Sequence, residues 1–566
     1  MEDTVKKFCS IIFDVLSDKG VKDIICSPGS RNVPLLIAAA SRQNLKKHFV
    51  ADERSAAYMA LGISLVSKRS SVLICTSGTA LLNYTPAIAE AYYQGIPLIV
   101  ISADRPVQWI DQDDSQTLRQ DGVMENFVKK SFSIPAWGDE DKELQWYVNR
   151  IANEAFLTAN DRKPGPVHIN IHLGEPLGEK SFHEHYHQRL IDVISADTLG
   201  NKEIIKGLAR KIAGSRTLLV SGFGLPNAEI QKAVGIFSRQ PNVVVMAETI
   251  SNLHIDNKDY MIDAALTAFD KEYLDNMAPD IVISMGGALV SRKLKEYLRR
   301  NKKTCQHWSV GFAPTISDPF TYLSFKIELE PGKFFKALNS SLRKFPVSEQ
   351  AKDFKEIWSS MRRQAAEVKD RFIKESPWSE LKAFDLILKN LQSNYNLFLS
   401  NGTSVRYAQL INYDMPHASY CNRGVSGIDG STSTAIGCAI EYKGPTLLIT
   451  GDLSFAYDLG ALNIHEIPES FKVIVIDNQG GGIFRFISST SELSEREEYL
   501  CQQPVLPLKN LAEGYGWHYF ECDSEKLLYK YLSDFFKVKG KAIMKISCPG
   551  QQSAEILKDY MDCKVR

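Results

Sequence analysis

The apolar and polar positions of the chain alternate between two kinds of segment. Short runs rich in Val, Ile and Leu end in turns that hold Gly, Pro or a small polar residue, and longer segments with helical spacing separate them. Strands buried on both faces of a parallel sheet give such continuous apolar runs, and helices join them. The pattern predicts an α/β protein with parallel sheets flanked by helices. The predicted strands are Asp23–Cys26, Ser71–Cys75, Pro97–Ile101, Pro166–Ile171, Thr217–Val220, Asn242–Ala247, Asp280–Ser284, His307–Val310, Asn396–Ser400, Pro445–Thr450, Lys472–Asp477 and Lys541–Ser547.

The predicted strands form three groups, one in each third of the chain. A polar stretch at Leu173–Asn201 follows the first group, and a charged segment near Pro346–Lys355 follows the second. Because a domain averages about 150 residues, a chain of 566 residues is long enough for roughly three or four. We therefore predict three α/β domains, at residues 1–185, 186–350 and 351–566.

The composition narrows the function classes. Lys plus Arg and Asp plus Glu both number 67, so the formal net charge is zero, whereas nucleic-acid binding by phosphate neutralisation calls for a basic excess. No apolar run approaches the roughly 18 residues of a membrane helix, and the N-terminal segment lacks an apolar signal region. The ten cysteines include no CxxC pair. We expect a reduced, cytoplasmic protein without nucleic-acid or membrane partners.

Two strands of the last third end in turns suited to binding a cation and a phosphate. One strand runs into Gly451–Ser454 and the next into Asp477–Gly482. Ligands of open α/β sheets bind beyond the carboxyl ends of strands, so Asp452 and Asn478, 478 − 452 = 26 positions apart, are expected at one edge. Their oxygens suit Mg²⁺, and the glycines let backbone N–H groups approach phosphates. Either turn alone is more often an ordinary βα turn or a flexible loop, but the two together favour a site.

This pair of turns resembles the motif of thiamine-diphosphate enzymes, in which Gly-Asp is followed by Asn after a similar interval. The resemblance implies that Asp452 and Asn478 bind Mg²⁺, or Mn²⁺, through their side chains and Gly480 through its carbonyl. Thiamine diphosphate would also contact Leu453, Ser454 and Gly481.

The same resemblance assigns a role to Glu53, which opens a helix rich in small apolar residues. Such a glutamate is usually only a favourable first-turn charge. In thiamine-diphosphate enzymes it hydrogen-bonds the pyrimidine ring of the cofactor and is catalytic. It comes from a different subunit than the diphosphate site, so the resemblance implies a homodimer or a dimer of dimers.

Further segments are similar to one family of this superfamily, the 2-succinyl-5-enolpyruvyl-6-hydroxy-3-cyclohexene-1-carboxylate synthases of menaquinone biosynthesis. They lie in the first and last domains, and the middle domain resembles the family only weakly. The family implies decarboxylation of 2-oxoglutarate and addition of the resulting succinyl carbanion to isochorismate, with release of CO₂. The similar segments are Ser27–Arg31, Asp52–Ala56, Cys75–Ala80, Ala103–Pro106, Asn422–Gly430 and Gly451–Leu459.

Both implied substrates are dicarboxylates, which arginine binds in a bidentate manner. Among the matched residues, Arg31, Arg105 and Arg423 stand out because each adjoins a glycine or proline turn. The apolar residues implied to contact the cofactor are Ile428 beneath its two rings and Ile483 and Phe484 over the thiazolium. The residues implied to bind substrate are Ser30, Arg31, Arg105, Gln116, Arg292, Lys293, Arg406 and Arg423.

The sequence departs from the family pattern at three places. Gly402 stands where a serine is expected near the diphosphate. The hydroxyl of Thr403 or Ser404 would have to take the place of the missing serine hydroxyl. Gly460 replaces an expected asparagine, and Arg292-Lys293 reverses the expected order.

Two other functions remain open. One alternative is an acetohydroxyacid synthase-like or oxidase-like thiamine enzyme that acts on pyruvate, sometimes with FAD in the middle domain. The other is a binding protein that kept the fold without catalysis.

Overall fold

The computed structural model of this protein describes residues 4–135, 142–175, 177, 188–193, 201–256, 262–300, 305–313, 315–411, 413 and 416–565. Over these residues the chain forms three parallel sheets of six, five and six strands, and helices flank each sheet. The predicted fold class is therefore confirmed. The predicted domain boundary at 185/186 and part of the polar stretch at Leu173–Asn201 lie outside the described residues.

The first sheet has the strand order β2-β1-β3-β4-β6-β5. Its inner strands β1, β3, β4 and β6 are buried along their whole length, as expected for a parallel sheet covered on both faces. Its strands are β1 (Asp23–Cys26), β2 (Lys46–Phe49), β3 (Ser71–Cys75), β4 (Leu98–Asp104), β5 (Ser131–Ile134) and β6 (Val167–His172), and its helices are α1 (Thr4–Asp18), α2 (Val33–Ala40), α3 (Glu53–Ser67), α4 (Thr79–Gln94) and α5 (Lys142–Ala159).

The second sheet has the order β11-β10-β9-β7-β8 and a hydrophobic core on each face. One core contains Phe237 and Phe335, and the other contains Tyr297 and Trp358. The strands are β7 (Thr217–Ser221), β8 (Val243–Ala247), β9 (Ile281–Met285), β10 (Gln306–Val310) and β11 (Leu323–Ile327), and the helices are α6 (Lys202–Ala213), α7 (Ala228–Phe237), α8 (Ile262–Ala268), α9 (Lys271–Asn276), α10 (Arg292–Arg300), α11 (Pro331–Leu342) and α12 (Phe354–Glu375).

The third sheet has the order β13-β12-β14-β15-β17-β16, so the two strands that precede the glycine-containing turns are neighbours. Their carboxyl ends therefore meet at one edge, as the sequence predicts. The strands are β12 (Asn396–Leu399), β13 (Ala418–Tyr420), β14 (Thr446–Gly451), β15 (Phe471–Asp477), β16 (His518–Cys522) and β17 (Ala542–Ser547), and the helices are α13 (Glu380–Lys389), α14 (Ser404–Leu410), α15 (Ser431–Tyr442), α16 (Asp452–Tyr457), α17 (Gly482–Phe486), α18 (Ser488–Ser491), α19 (Arg496–Tyr499), α20 (Leu508–Gly514), α21 (Glu525–Lys537) and α22 (Gly550–Asp562).

Contacts divide the chain into two compact units. The first unit contains Met1–Ser195, Asn422–Thr446 and Tyr457–Phe471. The second contains the rest, Ala196–Cys421, Leu447–Ala456 and Lys472–Arg566. Among the helices that the structure describes, none has the length and apolar character needed to cross a bilayer.

Candidate active site

Asp452 lies in the second unit at the junction between β14 and α16, and its side chain is held rigidly. It is 4% exposed. One carboxylate oxygen, Oδ1, accepts a hydrogen bond from the backbone N–H of Leu453 at 2.7 Å, and Oδ2 accepts one from Gly480 at 2.8 Å. Burial raises the pKa of Asp452 to about 6. The bond to Gly480 ties this turn directly to the glycine-rich turn after β15.

Asn478 follows β15 and points the two ends of its amide in different directions. The side chain is 4% exposed, and its Nδ2 donates to Oε1 of Glu380 at 3.0 Å. Among the described residues, its buried Oδ1 has no hydrogen-bond partner. The amide oxygens of Asn242 and Asn339 also lack one, but that of Asn478 belongs to the turn that is hydrogen-bonded to Asp452, where an ion would satisfy it.

The turn after Asn478 has an unusual backbone. Gln479, Gly480 and Gly481 all have positive φ angles, of 65°, 74° and 57°. A Cβ atom at Gly480 would lie 2.1 Å from the carbonyl oxygen of Gln502, so only glycine fits there. This backbone turns the Gly480 N–H toward Asp452.

Arg485 stabilises the same turn through hydrogen bonds, a role that was not predicted from the sequence. Its guanidinium donates to the carbonyl oxygens of Asn478 and Gly480, both at 2.9 Å, and of Gln479 at 3.3 Å. Glu497 pairs with it at 2.8 Å. Because a carbonyl oxygen has two lone pairs, the bond from Arg485 leaves Gly480 a second acceptor position.

The donor atoms at this edge fit the divalent cation that the sequence predicts. They are a carboxylate, a partnerless amide oxygen and a backbone carbonyl, which are the hard oxygen ligands that Mg²⁺ and Mn²⁺ prefer. The remaining predicted cofactor residues of this unit lie on the two short helices that follow the turns. Leu453 and Ser454 are in the six-residue helix α16, and Ile483 and Phe484 are in the five-residue helix α17.

In the first unit, Glu53 is the first residue of α3 and is partly buried. Asp52 caps this helix by accepting hydrogen bonds from the backbone N–H groups of Arg54 and Ser55. Burial, and secondly the charge of Glu53, raise the pKa of Cys75 well above its ordinary value. The carboxylate of Glu53 is therefore near the carboxyl end of β3.

Arg31 and Arg105 lie near each other in the first unit. Arg31 is buried and donates to the carbonyl oxygen of Leu173 at 2.9 Å, while Arg105 pairs with Asp114 at 2.6 Å. The pKa of Arg31 is lowered by burial and by the charge of Arg105, which shows how close the two cations are. The predicted Ser30 and Gln116 are exposed, and Gln116 has a φ of 51°.

A buried polar network beneath Arg105 fixes its backbone. Asp104 accepts from the Arg105 N–H at 2.8 Å, and His172 donates to the Arg105 carbonyl at 2.6 Å. Asn170 donates to Asp104 at 2.9 Å and accepts from Gln120 at 2.9 Å. Asp104 belongs to the matched segment Ala103–Pro106, but the network could not be predicted because Gln120, Asn170 and His172 lie outside every matched segment.

The loop Asn422–Gly430 of the first unit carries Arg423 and Ile428. Glu90 of α4 accepts from the backbone N–H groups of Gly424 and Val425, both at 2.6 Å, and thereby anchors the loop. Ile428 is 38% exposed, so its apolar side chain is available for contact.

Three of the cationic residues predicted to bind substrate, Arg292, Lys293 and Arg406, belong to the second unit, and they differ in their charged neighbours. The buried carboxyl of Asp263 has both Lys293 and Arg406 among its charged neighbours. Arg292 instead forms an exposed pair with Glu296 one helical turn later, at 2.6 Å. Of Arg292 and Lys293, it is therefore Lys293 that shares Asp263 as a charged neighbour with Arg406.

Comparison with known proteins identifies the family. Residues 6–123 match the model described as thiamine pyrophosphate enzyme, N-terminal TPP binding domain, and residues 401–546 match its C-terminal TPP binding domain. A 2-succinyl-5-enolpyruvyl-6-hydroxy-3-cyclohexene-1-carboxylate synthase of Porphyromonas gingivalis is 38% identical over 98% of this chain and 96% of its own length. Synthases of the same name from Flavobacterium johnsoniae and Cytophaga hutchinsonii are 35% and 36% identical over 97% of both chains.

The chain belongs to the 2-succinyl-5-enolpyruvyl-6-hydroxy-3-cyclohexene-1-carboxylate synthase family. The resemblance seen in the sequence is thus confirmed, and the chain is a thiamine-pyrophosphate-type enzyme. The matches cover both segments that carry the candidate residues Glu53, Asp452 and Asn478.

Two departures from the synthase pattern have structural explanations. A Cβ atom at Gly460 would lie 2.1 Å from Oδ2 of Asp52, so an asparagine there would collide with the cap of α3. Gly402 has a φ of 94°, which favours glycine over serine. Of the two hydroxyls considered as replacements, that of Thr403 donates to Glu380 at 3.0 Å. The hydroxyl of Ser404 is buried and accepts from Ser400 at 3.4 Å.

Proposed function

We propose that this protein catalyses the decarboxylation of 2-oxoglutarate and the addition of the succinyl fragment to isochorismate. The product is 2-succinyl-5-enolpyruvyl-6-hydroxy-3-cyclohexene-1-carboxylate, with CO₂ released, and the reaction depends on thiamine diphosphate and Mg²⁺ or Mn²⁺. The observation that carries the proposal is that Asp452 is hydrogen-bonded to Gly480, in the same turn as Asn478, whose buried Oδ1 has no hydrogen-bond partner among the described residues. It occurs in a chain whose similarity to the synthases extends over nearly its whole length.

The residues of the second unit would hold the cofactor by its diphosphate. Asp452, Asn478 and the carbonyl of Gly480 would bind the cation, and Leu453, Ser454 and Gly481 would contact the phosphates. Bound thiamine diphosphate supplies the electron sink that decarboxylation of a 2-oxo acid requires. Ile428, Ile483 and Phe484 would exclude water from its rings.

Glu53 would supply acid–base chemistry at the pyrimidine ring of the cofactor. Its position at the first turn of α3 fixes its backbone, and Asp52 caps that turn. A carboxyl held in this way can exchange a proton with a ring nitrogen over a short hydrogen bond. In this proposal Glu53 comes from one subunit and the diphosphate residues from another, so the active form is at least a homodimer.

The cationic residues would bind the carboxylates of the two substrates. Arg31 and Arg105 provide two neighbouring guanidinium groups in the first unit, each matched to a carboxylate. Ser30, Gln116 and Arg423 would complete this set. Lys293 and Arg406, which both have Asp263 as a charged neighbour, would form a second set together with Arg292, which pairs with Glu296.

Product analysis tests the reaction. The protein is incubated with thiamine diphosphate, Mg²⁺, 2-oxoglutarate and isochorismate, and the product is identified by mass spectrometry. We expect one product that contains the carbon skeletons of both substrates less one CO₂. Rapid turnover of pyruvate without consumption of isochorismate would replace the proposal by an acetohydroxyacid synthase-like or oxidase-like activity.

Two substitutions separate catalysis from cofactor binding. Glu53→Gln removes the proton partner, so we expect turnover to fall by about 10²- to 10⁴-fold while calorimetry shows thiamine diphosphate still binding. Asp452→Ala removes a cation ligand, so cofactor affinity itself should fall. Substantial activity of Glu53→Gln would contradict the role of Glu53, and unchanged cofactor affinity of Asp452→Ala would contradict the cation site.

A further inference from the structure

Glu380 is a buried acid that the reaction outlined above does not use. It is the first residue of α13 and is 2% exposed. Its Oε1 accepts from Nδ2 of Asn478 at 3.0 Å, and its Oε2 accepts from the hydroxyl of Thr403 at 3.0 Å. Its backbone N–H donates to the hydroxyl of Ser553 at 3.1 Å. Both carboxylate oxygens and the main chain of Glu380 are therefore fixed within the second unit.

The contact with Asn478 decides which way the amide points. The two ends of an asparagine amide have almost the same shape, so only their neighbours select an orientation. A carboxylate can only accept hydrogen bonds, and it therefore attracts the NH₂ group and repels the oxygen. The reversed amide would place two acceptor oxygens about 3 Å apart, at the distance now separating Nδ2 from Oε1.

Packing around the amide leaves little freedom for other arrangements. A Cβ atom at Gly482 would lie 2.4 Å from Nδ2 of Asn478, so the turn backbone lies directly against the amide. At the other end of the amide, Oδ1 is buried and has no hydrogen-bond partner within the part of the chain that the structure describes. The orientation that Glu380 imposes thus leaves Oδ1 available as an acceptor.

We propose that Glu380 is a positioning residue, which fixes the amide of Asn478 so that Oδ1 is presented to the divalent cation. This inference rests on the proposed function, in which Asn478 is a cation ligand. Glu380 itself does not touch the cation; it acts through Asn478. Hydrogen-bond partners of this kind orient metal ligands in many proteins, and their loss typically costs about 10- to 100-fold in metal affinity.

The test measures cation binding rather than turnover. Mn²⁺ is titrated into the full-length protein at saturating thiamine diphosphate, and free Mn²⁺ is followed by electron paramagnetic resonance. We expect Glu380→Leu to raise the dissociation constant for Mn²⁺ about 10- to 100-fold. Glu380→Gln should recover most of this loss, because a glutamine oxygen can still accept from Nδ2. Unchanged affinity in Glu380→Leu, or equal loss in Glu380→Gln, would overturn the positioning role.

Glu248 provides a matched control for the loss of a buried acid. It is also fully buried in the second unit and accepts from the backbone N–H groups of Val290 and Ser291 at 2.7 and 2.8 Å. Glu248→Leu should therefore affect stability in a comparable way but leave Mn²⁺ affinity unchanged. If both leucine variants weaken Mn²⁺ binding equally, the effect of Glu380 is general destabilisation and the proposal fails.

A double-mutant cycle separates positioning from any other effect. In the Asn478→Ala background there is no amide to orient, so Glu380→Leu should cost no further Mn²⁺ affinity. Additive losses would overturn the inference. If Asp452→Ala and Asn478→Ala both bind Mn²⁺ as tightly as the wild type, the proposed cation site itself fails. If those two weaken binding and Glu380→Leu does not, only the inference fails.

Discussion

A close helix contact in the first unit predicts a large effect from adding one methyl group. Helices α3 and α15 meet through two glycines, Gly62 and Gly437. A Cβ atom at Gly62 would lie 2.1 Å from the carbonyl oxygen of Thr434 and 2.8 Å from the N–H nitrogen of Cys438. A Cβ atom at Gly437 would lie 2.2 Å from the carbonyl oxygen of Met59. The two backbones are thus in direct contact on both sides.

The structure sets the size of the effect of Gly62→Ala. Ordinary van der Waals contact begins at 3.4 Å, so the helices would have to separate by about 1.3 Å relative to the 2.1 Å approach. Overpacking typically costs about 1–3 kcal/mol, and backbone on both sides places this case at the upper end. The higher helix propensity of alanine than of glycine offsets roughly 1 kcal/mol of this cost. We expect a net loss of about 2 kcal/mol in the free energy of unfolding.

A second glycine supplies the matched control. Gly207 lies inside α6, and a Cβ atom there would meet nothing within 4 Å. Gly207→Ala is the same chemical change without the clash, so it should stabilise by about 0.5–1 kcal/mol. Both variants are unfolded in urea and followed by circular dichroism. If Gly62→Ala is as stable as wild type, the helix contact does not have the geometry described.

Gly62→Ala should also affect the cofactor, because Glu53 begins the same helix. A shift of α3 by about 1 Å moves that carboxyl away from its position, and such misplacement can cost about 10²-fold in rate. The expected result is a loss of turnover larger than the loss of stability explains. Normal turnover in a destabilised Gly62→Ala protein would show that α3 does not position Glu53.

Two further predictions concern a cation and a histidine. Arg485→Lys should weaken binding of thiamine diphosphate with Mg²⁺ at least about tenfold by calorimetry, because a compact ammonium lacks the planar guanidinium fork that contacts the three carbonyls and Glu497 together; unchanged affinity would contradict this. Burial alone would lower the pKa of His48, as does the charge of Lys46, but hydrogen bonds to Asp23 and Glu466 raise it above its ordinary value of 6.5. Protonated His48 therefore stabilises the fold below pH 6.5, and this contribution is lost as the pH rises through the raised pKa. The urea midpoint of wild type should exceed that of His48→Gln below pH 6.5, and the difference should shrink as the pH rises above that value. A constant difference would refute the linkage.

The central strands could be predicted from the sequence, whereas most strands at the sheet edges could not. Strand β4 is buried over its whole length, and only the last residue of β15 is not, so they appear as continuous apolar runs. Among the strands that the structure describes, five of the six edge strands were not predicted: β2, β5, β11, β13 and β16. The sixth, β8, was predicted, because all five of its residues are apolar and buried. Strand β2 is mostly exposed, and β13 has only three residues. An edge strand that is short or carries polar side chains has no long apolar run to mark it.

Some residues of the candidate site could likewise be predicted from the sequence, and others could not. Asp452 and Asn478 directly follow apolar strands, so strand ends and glycines reveal them. Glu380 and Arg485 meet the same turn through hydrogen bonds, but nothing in the local sequence distinguishes them from surface charges. Glu380 is 98 positions from Asn478, and only the folded sheet brings them together.

Three buried acids have a common function in the arrangement of loops. Glu380 contacts the turn that holds Asn478, Glu90 contacts the backbone beside Arg423, and Asp104 contacts the backbone of Arg105. Burial raises the pKa of all three carboxyls, so each charged form is costly in the fold. Because that desolvation cost offsets the gain from the hydrogen bonds, the net contribution to stability is small. Glu90 and Asp104 each bind the backbone of a loop, and Glu380 binds the side-chain amide of Asn478. Each of these three segments carries a residue of the candidate site.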